Sequence, residues 1–165
     1  MFSPITELGK EQKKSMKTSG LLAAFMTAAV LLVGCGTTKT IDTAELARSL
    51  ATEITYDDTL QELEQDEISM YMELPEDVEA VVYMGSGSTA EEVGVFAAKS
   101  NDEAKNTLES VQKFLDDQQD SFEDYKPEEA KRVGSAVIEQ KGNYVILCVS
   151  GDSDSAKKII EKAFQ

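Results

Sequence analysis

The sequence predicts an α+β domain: an antiparallel sheet of about four strands with helices packed chiefly on one face, in the order α-β-β-α-α-β-β-α. Three observations lead there. Residues 78–84 and 92–98 are β-rich and separated by a Gly-Ser turn, and residues 133–140 and 144–149 are β-rich and separated by Lys141-Gly142-Asn143. Apolar stripes at helical period flank each pair. The two ββα units hint at an internal duplication, although no residues match between them.

Composition narrows the classes before any motif is read. The chain has 165 residues, enough for one domain, with 16 Lys or Arg, 31 Asp or Glu, two Cys and no His. Lack of His excludes a His-based catalytic triad, an imidazole proton shuttle and His-ligated zinc or haem. Two cysteines cannot build a Cys-rich metal site or a disulfide scaffold. A formal charge of −15 argues against nucleic acid, which is bound by cations.

Residues 1–34 read as an upstream extension plus a signal peptide. Lys10, Lys13, Lys14 and Lys17 form a basic region, and Leu21–Val33 is a 13-residue run without a charge. That length suits the apolar core of a secretory signal, for which about 7–15 residues is usual, whereas a spanning helix wants about 20. Leu32-Val33-Gly34-Cys35 resembles the bacterial lipobox, which implies cleavage between Gly34 and Cys35 and lipidation of the Cys35 thiol. A chain starting at Met16 would carry a signal of ordinary proportions, so residues 1–15 read as an extension or a misplaced start. Two acyl chains on Cys35 would hold the domain stably at the membrane without a transmembrane helix. The expected location is the cell membrane, facing outward.

Cleavage sharpens the charge. Residues 35–165 hold 12 basic and 29 acidic side chains, a net of −17 over 131 residues. Such a domain is soluble and is repelled by anionic headgroups. Residues 35–40 supply the lipidated Cys and a short spacer, and 41–165 form the globular domain. About 130 residues can bury roughly two-thirds of their unfolded surface, sufficient for a core without disulfides.

The elements follow in order. Asp42 and Glu45 form a capping-box-like pair, with Ile41 and Leu46 as a hydrophobic staple, and Leu46, Leu50 and Ile54 continue the stripe of a first helix. Residues 57–67 are acidic and poorly periodic, with Leu60 and Leu63 as anchors of a short helix or loop. Ile68, Met70 and Met72 alternate with polar neighbours, which suits a short strand ended by Pro75. Strands over 78–84 and 92–98 follow. Ser100 and Glu103 cap a helix whose stripe is Ala104, Leu108, Val111, Leu115 and Phe122. Pro127 opens a short helix to Arg132, the second hairpin follows, and Asp152 or Asp154 caps a last helix with Ala156, Ile159, Ile160, Ala163 and Phe164 inward.

The lipobox, Glu91-Glu92-Val93-Gly94-Val95-Phe96-Ala97-Ala98, Tyr125-Lys126-Pro127-Glu128, and Gly142-Asn143-Tyr144-Val145 running to Val149-Ser150-Gly151-Asp152 together resemble an uncharacterised family of Firmicute lipoproteins carrying a domain of unknown function. The resemblance spans nearly all of 35–165. It implies a Gram-positive cell surface and brings no catalytic residues.

Candidate chemistry is sparse, and no catalytic, cofactor or metal residue is assigned. Gly85-Ser86-Gly87-Ser88-Thr89-Ala90 fits a dinucleotide-binding turn, but a strand is expected after it where that turn needs a helix, and the segment reads better as a hairpin loop. Ser110-Val111-Gln112-Lys113 and Ser155-Ala156-Lys157-Lys158 fit S-x-x-K without the S-D-N and K-T-G partners. Asp152-Ser153-Asp154 opens like a calcium loop but lacks its Gly and Glu. Asp57-Asp58 and Asp116-Asp117 are carboxylate pairs in a chain full of carboxylates. Tyr71, Tyr83, Tyr125 and Tyr144 suit a recognition surface, a sheet or a core edge. Cys148 lies in an apolar run and reads as a buried hydrophobe. The expected function is a membrane-anchored binding or interaction module for an envelope protein or small ligand, its oligomeric state open. The alternative is a small cell-envelope hydrolase using carboxylates or a Ser-Lys pair.

Overall fold

A computed structural model describes residues 39–165. Helix α1 (Thr43–Glu53) starts on Asp42, whose carboxylate accepts the Glu45 N–H at 2.9 Å. A two-residue strand β1 (Gln61–Glu62) and helix α2 (Gln65–Tyr71) precede β2 (Glu79–Met84) and β3 (Glu92–Ala97). The long α3 (Asn101–Glu123) leads to α4 (Pro127–Val133), then β4 (Val137–Lys141), β5 (Tyr144–Val149) and α5 (Ser153–Phe164). The sheet is antiparallel throughout, in the order β1-β2-β3-β5-β4. The α+β class and the sequence of principal elements are as expected.

The helices, however, cover both faces of the sheet, where the sequence suggested chiefly one. Val82, Phe96, Val145, Leu147 and Val149 pack with Ile68 of α2, Ala104, Val111 and Leu115 of α3, and Ala130 of α4. On the other face Val93, Val95, Ile146 and Cys148 pack with Leu46, Ala47 and Leu50 of α1 and Ala156 and Ile160 of α5. The register explains why. Val95 pairs with Ile146 while the next residues, Phe96 and Val145, pair on the opposite face, so two central strands that are apolar at nearly every position need cover on both sides.

Two other segments depart from the sequence reading. Residues 68–71 lie in a helix, not a strand: Ile68 and Met72 are buried and Met70 is 77 % exposed. Helix α2 starts on Glu64, which exchanges side-chain and backbone hydrogen bonds with Glu67. Val133 ends α4 and Gly134-Ser135 turn the chain, so β4 begins at Val137 and not at 133. The fifth strand, β1, carries no apolar alternation that would announce it, and both its residues are exposed.

Caps and turns follow local chemistry. Ser100 accepts the Glu103 N–H at 3.1 Å, while the Glu103 carboxylate reaches one residue further back than expected, to the N–H of Lys99 at 2.6 Å. Asp152, and not Asp154, caps α5 through the N–H and hydroxyl of Ser155 at 2.9 and 2.7 Å. Gly142 adopts φ 62° in the two-residue β4–β5 turn, a conformation that glycine takes without a Cβ clash.

Candidate ligand groove beside the β2–β3 loop

The loop from Gly85 to Glu91 is clamped on three sides. Asp58 accepts the N–H and the hydroxyl of Ser86, both at 2.7 Å, and these bonds hold its carboxyl below the usual carboxylate range. A Cβ on Gly85 would come within 2.8 Å of that carboxylate, so a larger residue there would push the Asp58 side chain aside. Glu129 of α4 accepts the Ala90 N–H at 2.8 Å, and Lys126 donates to the Ser88 carbonyl.

A buried ionic cluster fixes the base of the loop. Glu91 is 2 % exposed and accepts the N–H groups of Asp57 and Asp58 at 3.0 and 2.8 Å. Arg132 meets Glu91 at 2.7 Å, Asp57 at 2.6 Å and Glu129 at 3.6 Å, with the Glu91 contact outside hydrogen-bonding alignment at Nη1. Burial opposes the charge of Arg132, but the bond to Asp57 and the fields of Glu91 and Glu129 outweigh it and raise its pKa. One arginine thereby ties together the segment after α1, the β2–β3 loop and α4.

Glu92, the next residue, points to the opposite face. It is fully buried at the start of β3, and its one polar neighbour is Gln118 of α3, whose Nε2 lies 3.5 Å from Oε2. Burial pushes its pKa up to about 8, and the Gln118 amide offsets this only in part. At neutral pH it is a neutral acid. Glu92 Oε1 and Gln118 Oε1 are both buried without a hydrogen-bond partner.

Gln118 also lines a groove of about 400 Å³, within the range of ligand clefts. The loop residues Gly85–Gly87 and Thr89 form one wall. Phe114, Asp117, Ser121 and Phe122 of α3 form the other, with Tyr71 and Tyr125 at the rim. These two tyrosines are 52 % and 64 % exposed, and Tyr125 leans on Phe122 with ring centroids 5.5 Å apart. A cavity of about 360 Å³ between α1 and α5 is lined partly by residues 39–41, where the described chain begins, and contains none of the unpartnered buried polar atoms.

The structure sorts the sequence candidates. Of the four tyrosines it brings Tyr71 and Tyr125 to the groove. Tyr83 lies on the α1 side of β2 and donates to Glu62 at 2.6 Å, and Tyr144 is buried against Phe164. The Ser110 hydroxyl donates to the Glu73 carbonyl at 2.6 Å, and that of Ser155 to the Asp152 carboxylate at 2.7 Å. Asp57 and Asp58 are the clamps already described, while Asp116 accepts from Gln112. Residues 85–90 lead into β3 and not a helix, as expected for a hairpin loop. Cys148 is buried 3.6 Å from the Tyr56 hydroxyl, and burial raises the pKa of both groups. Among the described residues no Cys, Asp and Glu side chains cluster as a metal site, and no helix is long and apolar enough to cross a membrane. Gly34 and Cys35 lie outside the described residues.

Sequence reasoning missed Glu91, Glu92, Glu129 and Arg132. The available signal was two adjacent glutamates heading a run otherwise apolar, because strand alternation sends one of them to each face.

The chain belongs to the family defined by DUF4358, a domain of unknown function, which matches residues 55–150. The match contains the whole sheet with α2–α4, while α1 and α5, which cover the other face, fall outside it. No curated protein and no solved structure matches the chain.

Proposed function

We propose that this protein is a lipoprotein, tethered through Cys35 to the outer face of the cell membrane, whose domain is a binding or interaction module. The ordered succession of Lys10–Lys17, Leu21–Val33 and Leu32-Val33-Gly34-Cys35 supports the tether. A net charge of −17 on residues 35–165 keeps such a domain off the anionic surface that anchors it. One observation carries the binding role: Tyr71 and Tyr125 stand exposed over a groove of about 400 Å³. Tyrosine at a concave site supplies apolar area with a polar tip at small entropic cost.

Two measurements test this. Cys35→Ala should abolish incorporation of labelled lipid and release the protein from the membrane fraction; retained label rejects the tether. A photocrosslinking residue at position 125 in intact cells should give a discrete adduct, identified by mass spectrometry, that the same residue at position 158 on α5 does not. Identical adducts from both positions reject the groove.

A further inference from the structure

We infer that the groove receives a basic, partly apolar peptide segment of a partner protein. The inference rests on the binding-module reading and adds the chemistry of the partner.

Exposed apolar surface is concentrated here. The three large apolar side chains most exposed among the described residues are Met70, Tyr71 and Tyr125. Tyr71 and Tyr125 rim the groove, while Met70 and Tyr71 line a cleft of about 260 Å³ that shares Tyr71, Phe114 and Asp117 with it. The two depressions are thus continuous along α2 and α3, a shape suited to an extended segment more than to one small ion. A clustered apolar patch with a polar rim marks an interaction site.

The charge of one wall is equally particular. Along α3 and its cap stand Asp116, Asp117, Asp120, Glu123 and Asp124, of which Asp117 lines the groove; Asp117, Glu73 and Glu91 outnumber Lys113, the one basic residue on the two linings. None of the five acids of α3 and its cap makes an ion pair among the described residues. They occupy the C-terminal half and cap of α3, where the backbone dipole is already negative and cations are the stabilising choice. Local rules broken without compensation mark functional surfaces. This field attracts ammonium and guanidinium groups and repels phosphate, which disfavours nucleic acid and anionic lipid as occupants.

The side chains at the groove fit the same ligand. A lysine or arginine stem laid across Tyr71 and Tyr125 would bring its charge to an aromatic face and to Asp117 together.

The test uses the full chain in zwitterionic nanodiscs, with empty discs as blank, and fluorescence anisotropy of a labelled Lys-Phe-Lys-Leu-Lys peptide. Saturable binding is expected, weakened at least tenfold by Tyr71→Ala with Tyr125→Ala and by Asp117→Lys with Asp120→Lys. Glu45→Lys with Glu161→Lys, exposed on the opposite face, should change it less than twofold. Far-UV circular dichroism checks that each variant keeps its fold. Equal weakening by the opposite-face pair overturns the inference in favour of general charge attraction. Equal binding of a Lys-Gly-Lys-Gly-Lys peptide overturns it in favour of small cations. If no peptide binds while the crosslink at position 125 persists in cells, the groove stands and its basic partner does not; loss of both removes both.

Discussion

Replacing Glu92 with glutamine should remove most of a pH dependence that one buried carboxyl imposes on the fold. Glu92 is wholly buried, and its nearest hydrogen-bonding group, the Gln118 amide, is 3.5 Å away. The folded-state pKa is raised from 4.5 to about 8, so folding keeps the group neutral where the unfolded chain ionises it. Stability from this source is fully present below pH 4.5 and is lost as pH rises through 8. Each pH unit between those limits costs about 1.4 kcal/mol, so the loss from pH 5 to pH 8 is about 4 kcal/mol, an upper bound because local opening admits water. Cys148 is held above its ordinary 9.0 by burial and leaves this window clear. The assay is denaturant unfolding at pH 5, 6, 7 and 8 for the native protein and Glu92→Gln, read as the difference between them so that the other carboxylates cancel. The Glu92→Gln variant should be less stable than the native protein, or equal to it, at pH 5 and more stable at pH 8. A stability difference that does not vary with pH would refute the reasoning.

Arg132→Ala should cost about 3–5 kcal/mol, since it strands the buried Glu91 and Glu129, and Arg132→Lys should recover little because one ammonium cannot reach three carboxylates; equilibrium unfolding checks both. Gly94→Ala should destabilise by about 1–3 kcal/mol, measured in the same way, because its Cβ would sit 2.7 Å from the Phe96 ring that covers the glycine. Ser100→Ala should remove about 1 kcal/mol by uncapping α3, with faster hydrogen exchange confined to its first turn.

The hairpins, the caps at Asp42, Ser100 and Asp152, and the stripe of α3 were legible because each depends on residues within a few positions. Helix α2 was not. Ile68 and Met72 are four apart, a spacing that puts both on one face of a strand or of a helix, and the decision falls to Met70, an apolar residue that is 77 % exposed. The two-sided cover of the sheet was partly visible in the unbroken run from Tyr144 to Val149, whose residues are all buried. Strand β1 left no trace because its pairing with Tyr83 and Met84 is a backbone contact made by two exposed residues.

The sequence by itself determined the α+β class, the family resemblance, the acidity and the order of the principal elements, because periodicity, capping and turn chemistry act over short stretches of chain. Only the tertiary structure decided where the site lies. Tyr71, Glu92, and Gln118 with Tyr125 come from three separate segments, and which of them meet is set by the strand register and by the packing of α3 over β3 and β5. Burial did the rest, turning one glutamate among 31 acidic residues into a neutral acid and another into the partner of Arg132.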